Sequence, residues 1–176
     1  MNTKSLIGKA LAYATATLVF CAAPLTAPAS TTTGALNVSA TISNNCVFGT
    51  STMAFGAYDP VSANASTALA VTGTVNLTCT KSDAITLTAD AGANGSSASG
   101  SCATATCTRA MKSGSNYLSY DLYTTSGHST VWNTSNNIPA TATGVSQAVS
   151  VYGYIPAGSN QPAGSYTDTV TVTATF

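Results

Sequence analysis

The chain has 176 residues, no glutamate, five aspartates against five lysines and arginines, and a single histidine. With only 6% of its residues charged, it offers no electrostatic footprint for nucleic acid or an anionic membrane. His128 sits alone in a Gly/Ser/Thr loop and the aspartates are scattered. No triad, carboxylate pair or metal cluster can be built from them, and neither enzyme activity nor a cofactor is expected.

Residues 1–29 read as a secretory signal. Lys4 and Lys9 supply a positive start, residues 10–25 are apolar and uncharged, and Ala27-Pro28-Ala29 offers the small residues that a signal peptidase reads. The cut is expected after Ala29. The apolar run is rich in Ala and Thr and too short to span a membrane. Phe20 stands where lipoprotein processing at Cys21 would need a small residue. The remaining chain, 30–176, has the size of one ordinary domain. Its three cations, Lys81, Arg109 and Lys112, face five aspartates, a net charge of −2.

The first element, 35–48, alternates Leu36, Val38, Ala40 and Ile42 against Asn37, Ser39 and Thr41. A period of two puts one set on a buried face and the other in water. Residues 53–58 form a short apolar piece closed by the Asp59-Pro60 turn signal. Residues 70–79 alternate again, with Gly73 among the inward set marking a bulge or a close approach. Ile85, Leu87 and Ala89 give a further strand. Residues 90–106 are low in complexity and read as an exposed loop. Strand character returns at 109–112 and 117–123, then a loop at 128–137 carries the lone tryptophan, Trp132. Another strand covers 147–155. The last element, 164–176, places Tyr166, Val170, Val172, Ala174 and Phe176 on one side and threonines on the other, with Asp168 as the single break.

Short alternating segments with Gly, Ser, Asn and Pro between them, and no convincing amphipathic helix, indicate an all-β antiparallel sandwich or barrel. The chain supplies about six or seven core strands, whereas an immunoglobulin-like sandwich needs about seven. The N-terminal segment has no obvious slot. If a strand is missing, 166–176 borders an open groove whose backbone is a template for strand addition from another molecule. The alternative, that 36–42 is an ordinary edge strand of its own domain, has the same periodicity.

After an export signal, four cysteines point to two disulfides, for which Cys46–Cys79 and Cys102–Cys107 are favoured. The first would tie neighbouring strands and the second closes within one loop. C-x-x-C spacing for a metal is absent. Trp132 beside tyrosines is a candidate sugar platform, as in a secreted carbohydrate-binding module, although a core role is commoner. Asp168 is a candidate partner for Arg109 or Lys112.

In order and spacing, several pieces of this chain resemble the spore coat protein U family, which includes subunits of archaic chaperone–usher pili (Csu-type fimbriae). They are the alternating segment up to Cys46, AFGAYDP, TGTVNLTCT around Cys79, YLSYDLY at 117–123, Val131-Trp132, and the stretch from VYGYIPAGSN to the end. The resemblance implies an incomplete immunoglobulin-like β-sandwich completed by donor-strand complementation. A periplasmic pilus chaperone would fill the groove first. At an outer-membrane usher, the N-terminal segment of the next subunit would replace it, giving a head-to-tail fibre that supports attachment and biofilm. Carried onto this chain, the donor residues are Leu36, Val38, Ala40 and Ile42 within 30–42. The acceptor includes Tyr166, Val170, Val172, Ala174 and Phe176. Ala40 departs from the bulky residue expected at its position. A secreted coat protein is the alternative that the family name also covers.

Overall fold

The structure, a computed structural model, describes residues 27–95 and 109–176. The expected Cys102–Cys107 bridge and nearly all of the expected signal lie outside the described residues. Residues 1–40 and 41–176 form separate units. In the first, residues 27–40 carry no regular secondary structure, and Leu36 and Val38 are 88% and 84% exposed.

The second unit is all-β, with eight strands and no helix among the described residues. They are β1 (Cys46–Phe48), β2 (Leu69–Cys79), β3 (Ala84–Ala89), β4 (Arg109–Ser113), β5 (Asn116–Tyr123), β6 (Ile138–Thr141), β7 (Gln147–Ile155) and β8 (Val172–Thr175). One antiparallel sheet has the order β1-β2-β7-β5-β4, the other β6-β3-β8. The alternation begins as the sequence indicates. Val75, Leu77 and Cys79 of β2, Ile85 and Leu87 of β3, Leu118, Tyr120 and Leu122 of β5, and Val151 and Ile155 of β7 point into one core shared by both sheets.

The first alternating segment is a ladder strand only at its end, where Cys46 pairs with Cys79 and Phe48 with Leu77. Just upstream, Asn45 C=O still accepts the Thr80 N–H at 2.9 Å and its N–H donates to Thr80 Oγ1 at 3.0 Å, whereas residues 27–42 pair with no strand among the described residues. The expected bridge Cys46–Cys79 is formed, joining these paired residues across a sequence separation of 33.

β6 is not among the strands expected from the sequence, and Pro139 lies in its middle. Proline lacks an N–H, so a strand tolerates it only where that N–H would face away from the neighbour. The Ala142 N–H donates to Asp83 C=O at 2.8 Å, and Ala142 is opposite Asp83 in the same register that puts Pro139 opposite Thr86. Alternation along the ladder then makes Thr86–Pro139 a non-hydrogen-bonded pair with the proline nitrogen on the outer edge.

Gly73 of β2 and Gly153 of β7 lie on the inward faces of neighbouring strands, in the pairs Gly73–Val151 and Val71–Gly153. A Cβ on Gly73 would lie 2.8 Å from Met53 Cε, and one on Gly153 would overlap Met53 Sδ and Phe55 Cζ. The close approach expected at Gly73 is therefore that of the 53–58 piece. Its side chains Met53 and Phe55 fill hollows that only glycine leaves.

Arg109 and Trp132 brace the other end. Arg109 is fully buried. Its Nε and Nη2 donate to the Asp90 carbonyl at 2.9 and 2.7 Å, and Nη2 also reaches the Trp132 carbonyl at 2.7 Å. Trp132 is 1% exposed, and its Nε1 donates to Leu87 C=O at 2.9 Å. A sugar platform needs an open indole face, which the carbohydrate-binding alternative requires and the buried Trp132 does not offer: this tryptophan has the commoner core role.

Candidate functional site

The last extended run connects the two sheets. Thr167 exchanges backbone hydrogen bonds with Lys112 of β4 at 2.8 and 3.1 Å. Farther along, the Thr169 and Thr171 carbonyls accept from Ala93 and Asp90 N–H at 2.9 and 3.0 Å, and β8 continues against β3. The odd-numbered residues thus spend their backbone groups on β4 and β3. In a strand, successive N–H and C=O groups point to opposite sides. The groups of Asp168, Val170, Val172 and Ala174 therefore point the other way, where no strand pairs with them among the described residues.

Beside that free edge lies a groove of about 460 Å³. The run from Tyr166 to Val172 forms one wall and residues 51–55 the other. The floor is built from Val75, Met111, Tyr120, Leu122, Trp132 and Val151. The groove continues past Met53, Phe55, Met111 and Tyr166 into a cavity of about 900 Å³ beside Tyr58 and Gln161. Tyr166, Val170 and Val172 touch the core yet stay only half-buried. An apolar side chain facing the core of a sandwich is normally covered from both sides. Here one side is open.

Of the acceptor residues named from the sequence, Tyr166, Val170 and Val172 line the groove. Ala174 packs on the core beyond it, opposite Leu87, and Phe176 is half-exposed at 48%. Of the donor residues, Leu36, Val38 and Ile42 are among the most exposed large apolar side chains described, and Ala40 is exposed with them.

Asp168, the break in the apolar face, does not pair with Arg109 or Lys112. Its Oδ2 accepts the Tyr120 hydroxyl at 2.7 Å, and its Oδ1 accepts the backbone N–H and Nδ2 of Asn94 at 3.1 and 3.0 Å. Gly92, at φ 79°, leaves the carboxylate its room, because a Cβ there would overlap Oδ2. Burial, reinforced by the bonded carboxylate, holds the Tyr120 phenol far above its ordinary pKa, so it remains a donor. Phe55 stacks edge-on against the Tyr120 ring at 5.8 Å between centroids.

Asp90 anchors the same run. Burial raises its pKa, but bonds from Thr171 and the Gly92 and Thr171 N–H groups outweigh burial and hold the carboxyl below its usual range. The sequence signal for this device is an aspartate directly after an apolar strand, ahead of the Ala91-Gly92 turn. It is visible only once the topology brings Thr171 alongside.

Residues 32–173 match the family model described as Spore Coat Protein U domain. Protein U of Myxococcus xanthus is 36% identical over 158 residues, covering 85% of this chain and 88% of that one. Among solved structures, the fold matches a chain of the CsuC–CsuE chaperone–tip adhesion subunit pre-assembly complex from the archaic chaperone-usher Csu pili of Acinetobacter baumannii, with TM-score 0.53 and 22% identity. That match covers 77% of this chain and 40% of the solved one, and at this identity it speaks for the fold.

Proposed function

Because the chain belongs to the Spore Coat Protein U domain family, we propose that it is a structural subunit of a surface pilus joined by strand donation. The 36–42 segment of one copy enters the groove of the next, and a dedicated chaperone occupies that groove before assembly at an outer-membrane usher. Export follows cleavage after Ala29, and the assembled fibre serves attachment and biofilm formation. The observation that carries this reading is the free backbone edge at Val170 and Val172 beside a half-covered apolar groove. An apolar, alternating strand is the occupant that satisfies both the backbone and the side chains. The solved relative is described as a chaperone–subunit pre-assembly complex, which supports the chaperone step. A head-to-tail contact of this kind is heterologous and extends into a fibre.

The test is deletion of residues 30–42 in the exported chain. The truncated subunit is expected to be retained by its chaperone and to cap fibres without extending them. Undiminished fibres would overturn the assignment. A secreted coat protein, the reading favoured by the family description itself, predicts instead that the chain incorporates into a surface layer with 30–42 removed.

A further inference from the structure

The wall of the groove contributed by the last run presents four side chains on its inward face, Tyr166, Asp168, Val170 and Val172, and at the Val172 end the lining stops. The segment 36–42 also presents four inward positions, Leu36, Val38, Ala40 and Ile42. Each set has one member that breaks its pattern: the carboxylate of Asp168 and the small Ala40. The Asp168 oxygens are engaged by Tyr120 and Asn94, so the side chain is fixed in place and cannot swing aside for a bulky neighbour.

Resting on the strand-acceptor reading of the groove, we infer that the two breaks meet. The donor of a second copy runs antiparallel to the last run, with Ile42 beside Tyr166, Ala40 beside Asp168, Val38 beside Val170 and Leu36 beside Val172. Ala40 is then the specificity-determining residue of the contact. It passes the point where Asp168, Tyr120 and Phe55 fill the groove and asks for no pocket. The opposite direction, again matched four for four, lays Val38 on the carboxylate and Ala40 on Val170. That arrangement crowds a branched apolar chain onto a polar group and leaves a void at Val170. In the antiparallel register Gly34 comes beside Ala174, so the apolar pattern of the donor ends where the groove lining ends.

The outward rows give the test. The inward residues of the last run offer their backbone groups to the donor, so the residues between them form the closer, non-hydrogen-bonded pairs. Asn37 falls beside Thr171 in the antiparallel register and beside Thr167 in the parallel one. Pairs this close are within disulfide reach.

Full-length chains carrying Asn37→Cys are mixed during assembly with chains carrying either Thr171→Cys or Thr167→Cys. Links between copies are then identified by peptide mass spectrometry. The expected result is a 37–171 link at least about 10-fold above the 37–167 link. A dominant 37–167 link overturns the register while leaving strand donation intact. Absence of both links, together with oligomers that persist when 30–42 is deleted, overturns strand donation itself. A second variant separates packing from folding. Ala40→Leu is expected to lose donor activity about 10-fold while the same chain still accepts an unaltered donor. Equal donor activity of Ala40→Leu and the parent chain overturns the role given to Ala40.

Discussion

Tyr120 in the floor of the groove donates its hydroxyl hydrogen to Oδ2 of Asp168 in the wall at 2.7 Å. The bond links β5 to the last run just where that run leaves the edge of β4 for the edge of β3. It holds one wall of the groove in place with no strand on its free side.

Tyr120→Phe removes that donor and leaves a carboxylate oxygen half-buried without a partner. The expected loss is about 1–3 kcal/mol, read by urea unfolding of the purified chain. Asp168→Asn keeps an acceptor for the phenol and is expected to lose less. Equal losses from the two variants would show that the bond does not set the cost.

The Arg109 guanidinium is buried among backbone carbonyls, and its Nη1 has no hydrogen-bond partner among the described residues. Burial pushes its pKa below the ordinary arginine value. Arg109→Met is expected to destabilise by about 3 kcal/mol, through loss of the brace between the Asp90 and Trp132 carbonyls. Arg109→Lys is expected to recover little of this, because an ammonium does not reproduce the planar fork. Thermal unfolding of both variants checks this.

Burial raises the Asp121 carboxyl to about 6 against an ordinary 3.8, and its Oδ1 is buried without a partner. A raised folded-state pKa means that the native chain holds its proton more tightly than the unfolded one. This contribution to stability is complete below about pH 4 and disappears as pH rises through about 6. Asp121→Asn is therefore expected to raise the unfolding midpoint at pH 7 and to leave it nearly unchanged at pH 4. A gain that is the same at both pH values would contradict this assignment.

Gly153→Ala drives a methyl into Met53 and Phe55. Overpacking of this kind costs about 1–3 kcal/mol. Adding Met53→Ala is expected to restore part of the loss, a coupling that a double-mutant cycle measures.

Replacing Cys46 and Cys79 together by serine opens a loop whose ends are 33 residues apart. In the chain-entropy account the loss is about 3–4 kcal/mol, measurable by urea unfolding.

Period-two patterning made β2, β3, β5 and β7 legible, because each buries one face against a continuous core. The same pattern in 36–42 and 166–176 did not reveal how much of each forms a ladder, since pairing depends on a neighbour and not on the segment's own residues. Only Val172–Thr175 of the last run is a regular strand. Pro139 hid β6, as a proline's tolerance depends on which way its nitrogen faces. Arg109 was legible as the start of a strand region and as a candidate partner for Asp168, not as a buried side chain. Its burial follows from long-range contacts with Asp90 and Trp132 that no local spacing encodes. Within the groove, Tyr166, Val170 and Val172 were readable from alternation. The Asp168–Tyr120 bond was not, because the partners lie 48 residues apart.

Pro139 also has a consequence for self-association. It deprives the outer flank of β6 of the amide hydrogen at its middle, so a stray strand arriving there finds a gap in the row of donors. The opposite flank of the same three-stranded sheet, along Val170 to Ala174, has no such gap. The small sheet is blunted on one side and receptive on the other, which gives the domain a polarity for accretion before any second molecule arrives.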